Sequence, residues 1–209
     1  MYYFQLRNLL LIQCFIFICF YQHAFAGENT FEVEYDEGAP SYTQDDLPLK
    51  PVKPDVITAS STLPSKSGEY KPGHAADGKA ATAWCKGVEG KGTEEWLRFE
   101  FKKPVQVTVL SFVPFYAKNA ATLANNNRIK KMKIEMDGGV SGIVEFTDAK
   151  WCKDCQLQYP APLVNFYRKN KTSFIKTTSV TFTILDVYPG SKYNDTCISD
   201  IEIQAWTGK

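Results

Sequence analysis

An all-β sandwich with long loops is the fold this sequence predicts, and three observations predict it. Apolar residues recur every second position in run after run. Proline and glycine separate those runs at Pro104, Pro114, Gly138-Gly139, Pro160 and Pro189-Gly190. No window of comparable strength carries a helical period. A repeat of two marks a half-buried strand, because successive side chains leave opposite faces of the backbone.

The elements follow in order. "EWLRFEF" sets Leu97, Phe99 and Phe101 on one face and Trp96, Arg98 and Glu100 on the other. "VQVTVLSF" alternates through Val105, Val107, Val109 and Ser111. "IKKMKIEM" gives a Met132, Ile134, Met136 face and sets Ile129 apart from it. Lys130, Lys131 and Lys133 read as solvated strand and edge positions, which discourage edge pairing. "VTFTILDV" groups Val180, Phe182 and Ile184. "ISDIEIQAW" groups Ile201, Ile203 and Ala205 and turns Asp200, Glu202 and Gln204 away.

Two segments precede the strands. Residues 1–26 carry one positive charge, Arg7, then an apolar run, then "HAFA", an A-x-A ending. This pattern predicts an export signal cut after Ala26, with an uncleaved anchor as the alternative. Residues 27–52 are acidic and interrupted by proline, with no sustained apolar period. They read as a flexible arm, in which "TFEVEY" is the one segment with strand character. The folded domain is expected over 53–209. Its size suits a single core.

Charge and cysteine content narrow the function. The chain has 24 Lys and Arg against 23 Asp and Glu, and losing Arg7 leaves the mature chain neutral. No field of one sign exists to attract nucleic acid or anionic lipid. Neither partner is expected, nor membrane insertion once the signal is gone. Cys85, Cys152, Cys155 and Cys197 remain, an even number that predicts two disulfides in an exported chain; spacing leaves all three pairings open. "WCKDC" has the spacing of a redox motif, but Pro160 and Pro162 deny the helix that chemistry needs.

The stretch "HAADGKAATAWCKG" poses the main question about chemistry. Asp77, the Thr82 hydroxyl and carbonyls between residues 74 and 83 form an oxygen-rich loop of the kind that wraps calcium. A plain Asp-Gly turn is the alternative, and the motif by itself favours it. Trp84 reads as a plug for one end of the core rather than a ligand platform. His74 is the single histidine of the mature chain, and no nucleophile motif accompanies it, so no enzyme activity is expected. The Asn-rich segment before "RIKK" offers Lys118, Asn127 and Arg128 as polar donors, with Tyr116 and Tyr193 as aromatic faces for a sugar. The alternative is that Asn127 and Arg128 brace neighbouring loops, and both readings stand at this level.

These residues also carry a resemblance. Ala59-Ser60-Ser61, then Asp77-Gly78, then Thr82-Ala83-Trp84 is similar to the opening of discoidin-like domains, also called coagulation factor V/VIII type C or galactose-binding-like domains. "TAWCKGVEGKGTEEWLRFEF", "NNNRIKKMKI" and "LDVYPGSKYNDTCISDIEI" more narrowly resemble the translocation domain found beside the catalytic part of bacterial NAD glycohydrolases. The likeness covers about residues 56–206. It implies an eight-stranded jelly roll with first and last strands close together. It implies a Cys85–Cys197 disulfide, which leaves Cys152 and Cys155 for each other. It places Asp200 where discoidin domains use a Glu to reach a structural calcium ion, beside Asp77 and Thr82, and Lys79 where Asn or Asp is frequent. Residues left for a glycohydrolase catalytic domain are too few, so that activity is not carried over. The function expected is a non-catalytic exported module, secreted, periplasmic or at the cell surface, that recognises a glycan or glycoprotein through loops. A protein-interaction or adhesin module with no sugar ligand is the alternative.

Overall fold

Period-two hydrophobicity builds the layers directly. The computed structural model describes residues 30–32, 49–66, 69–152, 156–158, 163–165 and 174–207. The strands in chain order are β1 (Thr30–Glu32), β2 (Leu49–Val52), β3 (Val56–Ala59), β4 (Trp84–Cys85), β5 (Trp96–Val113), β6 (Arg128–Met136), β7 (Ser141–Glu145), β8 (Lys150–Cys152), β9 (Gln156–Gln158), β10 (Leu163–Asn165), β11 (Ile175–Tyr188), β12 (Cys197–Ile198) and β13 (Asp200–Trp206). Among the described residues there is one short α-helix, α1 (Ala120–Asn125), with a reciprocal capping box between Asn119 and Thr122. It is too short to leave a helical period in the sequence.

The main sheet runs β1-β7-β6-β11-β5-β13-β2, with β3 and β10 also on β5. β5 changes neighbours along its length. Residues 97–100 pair with β3, whereas residues 107–113 pair with β13. Lys102, Lys103 and Pro104, all exposed, mark the change. β11 has a register shift between Thr177 and Ser179 at the matching level. Asp137 fastens that shift by accepting from the Thr178 N–H and from the Thr178 and Ser179 hydroxyls. The resulting β-sandwich encloses an aromatic chain in which Phe99, Phe182, Phe112 and Phe146 meet edge to face, with centroids 5.2, 6.0 and 5.5 Å apart.

Leu97, Phe99, Phe101, Val180, Phe182, Ile184, Ile201, Ile203 and Ala205 all lie in the core, as alternation requires. Four expectations need correction. Beyond Val107, the buried face of β5 is Thr108, Leu110 and Phe112, not Val109 and Ser111. The ladder to β13 steps from Val107 to Val109, and one extra residue reverses every later side chain. Ile129 is not set apart: two register irregularities in β11 around Asp186 bring it into the core with Met132, Ile134 and Met136. The lysines of β6 are not on an edge, since β7 and β11 flank it. They pair instead, Lys130 with Asp186, Lys131 with Glu145 and Lys133 with Glu135. Finally, the sheet includes Leu49–Val52, ahead of the expected boundary at residue 53, and Thr30–Glu32 of the arm pairs with β7. The export signal and the Cys152–Cys155 pairing lie outside the described residues. Among the described residues no helix is long and apolar enough to cross a membrane.

Candidate functional site

Short strands at one end of the sandwich collect the loops. β4 and β12 are two-residue partners, and Cys85 and Cys197, opposite one another, are disulfide-bonded with Cα atoms 4.1 Å apart. Trp84 is fully buried and donates its indole N–H to the Ser61 carbonyl at 2.9 Å, a core residue as expected.

The Asp-Gly loop lies against the start of β13. The Gly78 N–H donates to Asp200 Oδ1 at 3.2 Å, and the Ser199 hydroxyl donates to the Ala80 carbonyl at 3.0 Å. Thr82 Oγ1 stands 2.9 and 2.8 Å from the two Asp77 oxygens and 3.0 Å from the Lys79 carbonyl. The Lys79 N–H donates to Asp77 at 2.9 Å, which closes an Asx turn. Burial pushes the Asp200 carboxyl above its ordinary range; Glu202 and Asp77 push the same way, against the Gly78 and Ile201 amides. Two carboxylates, a hydroxyl and a carbonyl are the hard oxygens calcium takes, so the donor set suits such a cation in kind. Among the described residues no three His, Cys, Asp or Glu side chains gather as ligands, so backbone oxygens would have to complete the shell.

On the neighbouring loops, the polar residues expected to meet a ligand have internal partners. Asn127 is 1% exposed. Its Nδ2 donates to the Asn194 carbonyl (2.9 Å) and to Thr196 Oγ1 (3.1 Å), and its Oδ1 accepts from the Gly190 N–H (2.8 Å). Arg128, with a side chain 13% exposed, grips Asp148 through Nε (2.5 Å) and Nη2 (3.2 Å). Its remaining contacts go to the carbonyls of Leu123, Asn126 and Pro189. Both residues brace loops, and their donors are spent on the protein. Tyr116 is 8% exposed and offers no open face. Lys118 is exposed, and Tyr193 is 44% exposed with the Lys192 ammonium 5.0 Å from its ring centroid.

Two residues not singled out by the sequence stand out here. Tyr70, half-buried, packs edge-on against Tyr116 at 6.2 Å beside the disulfide cluster. Burial lifts its phenol above the usual range, with Tyr116, Glu69 and Asp195 adding and Lys118 opposing. Among the described residues its one ring contact is thus a second phenol, edge-on. His74 lies in the adjacent single 3-10 turn, Pro72–Ala76, with Nδ1 2.7 Å from the Glu69 carbonyl, an anchoring contact. Lys86, 1% exposed, donates to the Val88 carbonyl at 2.5 Å. Gly92 lies on its stem: a Cβ there would sit 2.7 Å from Lys86 Cγ, and its φ of +75° also demands glycine. Tyr70 sits inside the opening motif, where an aromatic beside turn residues gave a faint signal; Lys86 gave none, since a buried lysine in a Gly-rich loop looks solvated in sequence.

Residues 50–204 match the family model described as the NAD glycohydrolase translocation F5/8 type C domain. The chain belongs to this family. The translocation-domain fold has neighbours among solved structures. The family 32 CBM from C. perfringens NanJ in complex with galactose is 18% identical, with 71% of this chain and 92% of that chain covered and a TM-score of 0.46. The Clostridium perfringens module CpGH89CBM32-5, in complex with GalNAc-beta-1,3-galactose, is 20% identical, with coverage of 75% and 97% and a TM-score of 0.43. Arabinofuranosyltransferase AftD from Mycobacteria is 19% identical over 73% of this chain, with a TM-score of 0.47; the match spans only 11% of that enzyme. No curated protein matches the sequence.

Proposed function

We propose that this F5/8 type C domain is a non-catalytic, exported binding module that recognises glycans through the loops at its disulfide end. The observation that supports it is the Tyr70 ring, half-buried and edge-on to Tyr116, whose phenol feels the charges of Glu69, Asp195 and Lys118. Sugars offer an apolar ring face and a rim of hydroxyls. An aromatic surface with charged donors and acceptors at its edge meets both. Asn127, Arg128 and the disulfide hold the surrounding loops, which lowers the entropy lost on binding a weak ligand. The galactose and GalNAc complexes of the two clostridial modules suggest the first sugars to test. The Asp77–Thr82 loop is proposed to take a structural calcium ion, with Asp200 alongside.

The experiment is a glycan array followed by titration calorimetry of the best binder. Native protein should bind saturably. Tyr70→Ala should abolish binding, and Tyr70→Phe, which keeps the ring, should retain most of it. Equal binding by all three proteins, or no binding to any glycan, ends this reading in favour of a protein-interaction module.

A further inference from the structure

Ser199 lies between β12 and β13, fully buried, where the chain passes from the disulfide to the main sheet. Its backbone N–H is shared by the carbonyls of Val113 and Phe115, at 3.0 and 3.1 Å. Its side chain bridges two loops that are distant in sequence. The Ala117 N–H donates to Ser199 Oγ at 3.0 Å, and Ser199 Oγ donates to the Ala80 carbonyl at 3.0 Å. A hydroxyl holds one proton. The amide can only donate to it, so that proton is left for the carbonyl, and the direction of both bonds is fixed. Hydrogen bonds linked in this way polarise one another, and each strengthens the next.

The two loops belong to the two parts of the site. Ala80 is in the Asp77–Thr82 loop, whose Gly78 N–H donates to Asp200, the residue after Ser199. Ala117 follows Tyr116, whose ring meets Tyr70 edge-on, and precedes Lys118. A second connection runs along the backbone. Tyr70 leads through the 3-10 turn Pro72–Ala76 into Asp77, and His74 ties that turn back to the Glu69 and Lys71 carbonyls. The path therefore closes. It runs from Tyr70 to the Asp-Gly loop by covalent bonds, from that loop to Ala117 by the Ser199 hydroxyl, and from Tyr116 back to Tyr70 by ring contact. Closely packed groups transmit a displacement rather than absorb it, so no member of the path shifts alone. Its fixed point is Ser199, pinned by two carbonyls and standing two residues after the disulfide-bonded Cys197.

We propose that Ser199 is a positioning residue that couples the Asp77–Thr82 loop to the Tyr70–Tyr116 pair, so that the state of the loop regulates the aromatic site. The inference deepens the glycan reading and rests on it for the class of ligand; the coupling itself needs no sugar. Coupling is reciprocal: a change that loosens the loop weakens sugar binding, and bound sugar steadies the loop.

The test follows the Ala117 amide and the Tyr116 ring by NMR while the loop is altered by Asp77→Asn. With Ser199 in place, that substitution should shift both resonances. In Ser199→Ala, the Lys79 and Thr82 amides should still respond to it while Ala117 and Tyr116 stay where they were. Ser199→Thr, which keeps a hydroxyl, should bring the response back. The Ala117 amide should exchange about tenfold faster in Ser199→Ala. Near-UV dichroism verifies that each variant is folded. A purely structural serine lowers stability without cutting transmission, so a response of Ala117 and Tyr116 that is equal with and without the hydroxyl, or absent from both, overturns the proposal. Affinity for the best glycan of the array reads the same coupling. Asp77→Asn should weaken it by about fivefold or more beside Ser199 and leave it unchanged in Ser199→Ala. Equal losses in the two backgrounds overturn the proposal while the glycan reading stands. An intact resonance response with no glycan bound by native protein does the reverse: the coupling is upheld and the glycan reading ends.

Discussion

Asn127 presents three hydrogen-bonding contacts to the backbone and side chains of the loop 190–196. Replacing it with alanine strands the Gly190 N–H and the Asn194 carbonyl in a place with little water. The expected loss is about 2–3 kcal/mol, measured by urea denaturation. Asp137 gives a pH signature. The Thr178 hydroxyl, then the Ser179 hydroxyl and the Thr178 backbone amide, hold its carboxyl far below the ordinary range against the opposing effect of burial. A depressed carboxyl stabilises the fold above its unfolded value, near 4, and that contribution fades as pH falls through the folded value. Native protein should therefore lose stability below about pH 4 more steeply than Asp137→Asn, as followed by melting temperature against pH. Neither role was visible in the sequence. Asn127 was legible only as a donor with two open uses, and Asp137 only as a residue before Gly-Gly. Which partners a side chain reaches depends on segments 40 to 70 residues away.

At the scale of elements, the loop from Asp77 to Thr82 is the most informative. Its Asx turn is closed by the Lys79 N–H on Asp77, and Asp200 is held in an environment that disfavours its charge, first by burial and then by Glu202 and Asp77. A carboxyl whose folded pKa is raised stabilises the fold below its unfolded value and loses that contribution as pH rises through the folded one. At neutral pH, Asp200→Asn should therefore raise the melting temperature in chelator. Calcium should raise it in native protein, by an amount that grows with concentration, and leave both Asp77→Asn and Asp200→Asn unmoved. Identical melting of native protein with calcium and with chelator refutes the site. The strands show the same division between local and distant causes. Alternation gave the faces of β11 and β13 correctly. It failed in the second half of β5 and at Ile129, because a bulge is a property of two paired strands. Strand β1 was visible only as six residues with strand character, since its partner lies more than a hundred residues on.

For the whole molecule, the Cys85–Cys197 bond closes a loop across a sequence separation of 112 residues. Cross-linking so long a loop restricts the unfolded chain and is worth on the order of 4–5 kcal/mol in the chain-entropy model. Cys85→Ala with Cys197→Ala should lower the denaturation midpoint accordingly, whereas a reductant should leave that double variant unchanged in this respect. Tyr70, Tyr116 and the Asp77 loop all sit at the closed end, so binding should weaken with the same substitution. The sequence by itself determined the fold class, the faces of most strands and the family, because hydrophobic period and a few spaced motifs are local facts. Only the tertiary structure decided which polar residues face outward. Asn127 and Arg128 read as ligands or braces until the loops around them were placed, and those loops are satisfied by partners the chain brings from far along its length.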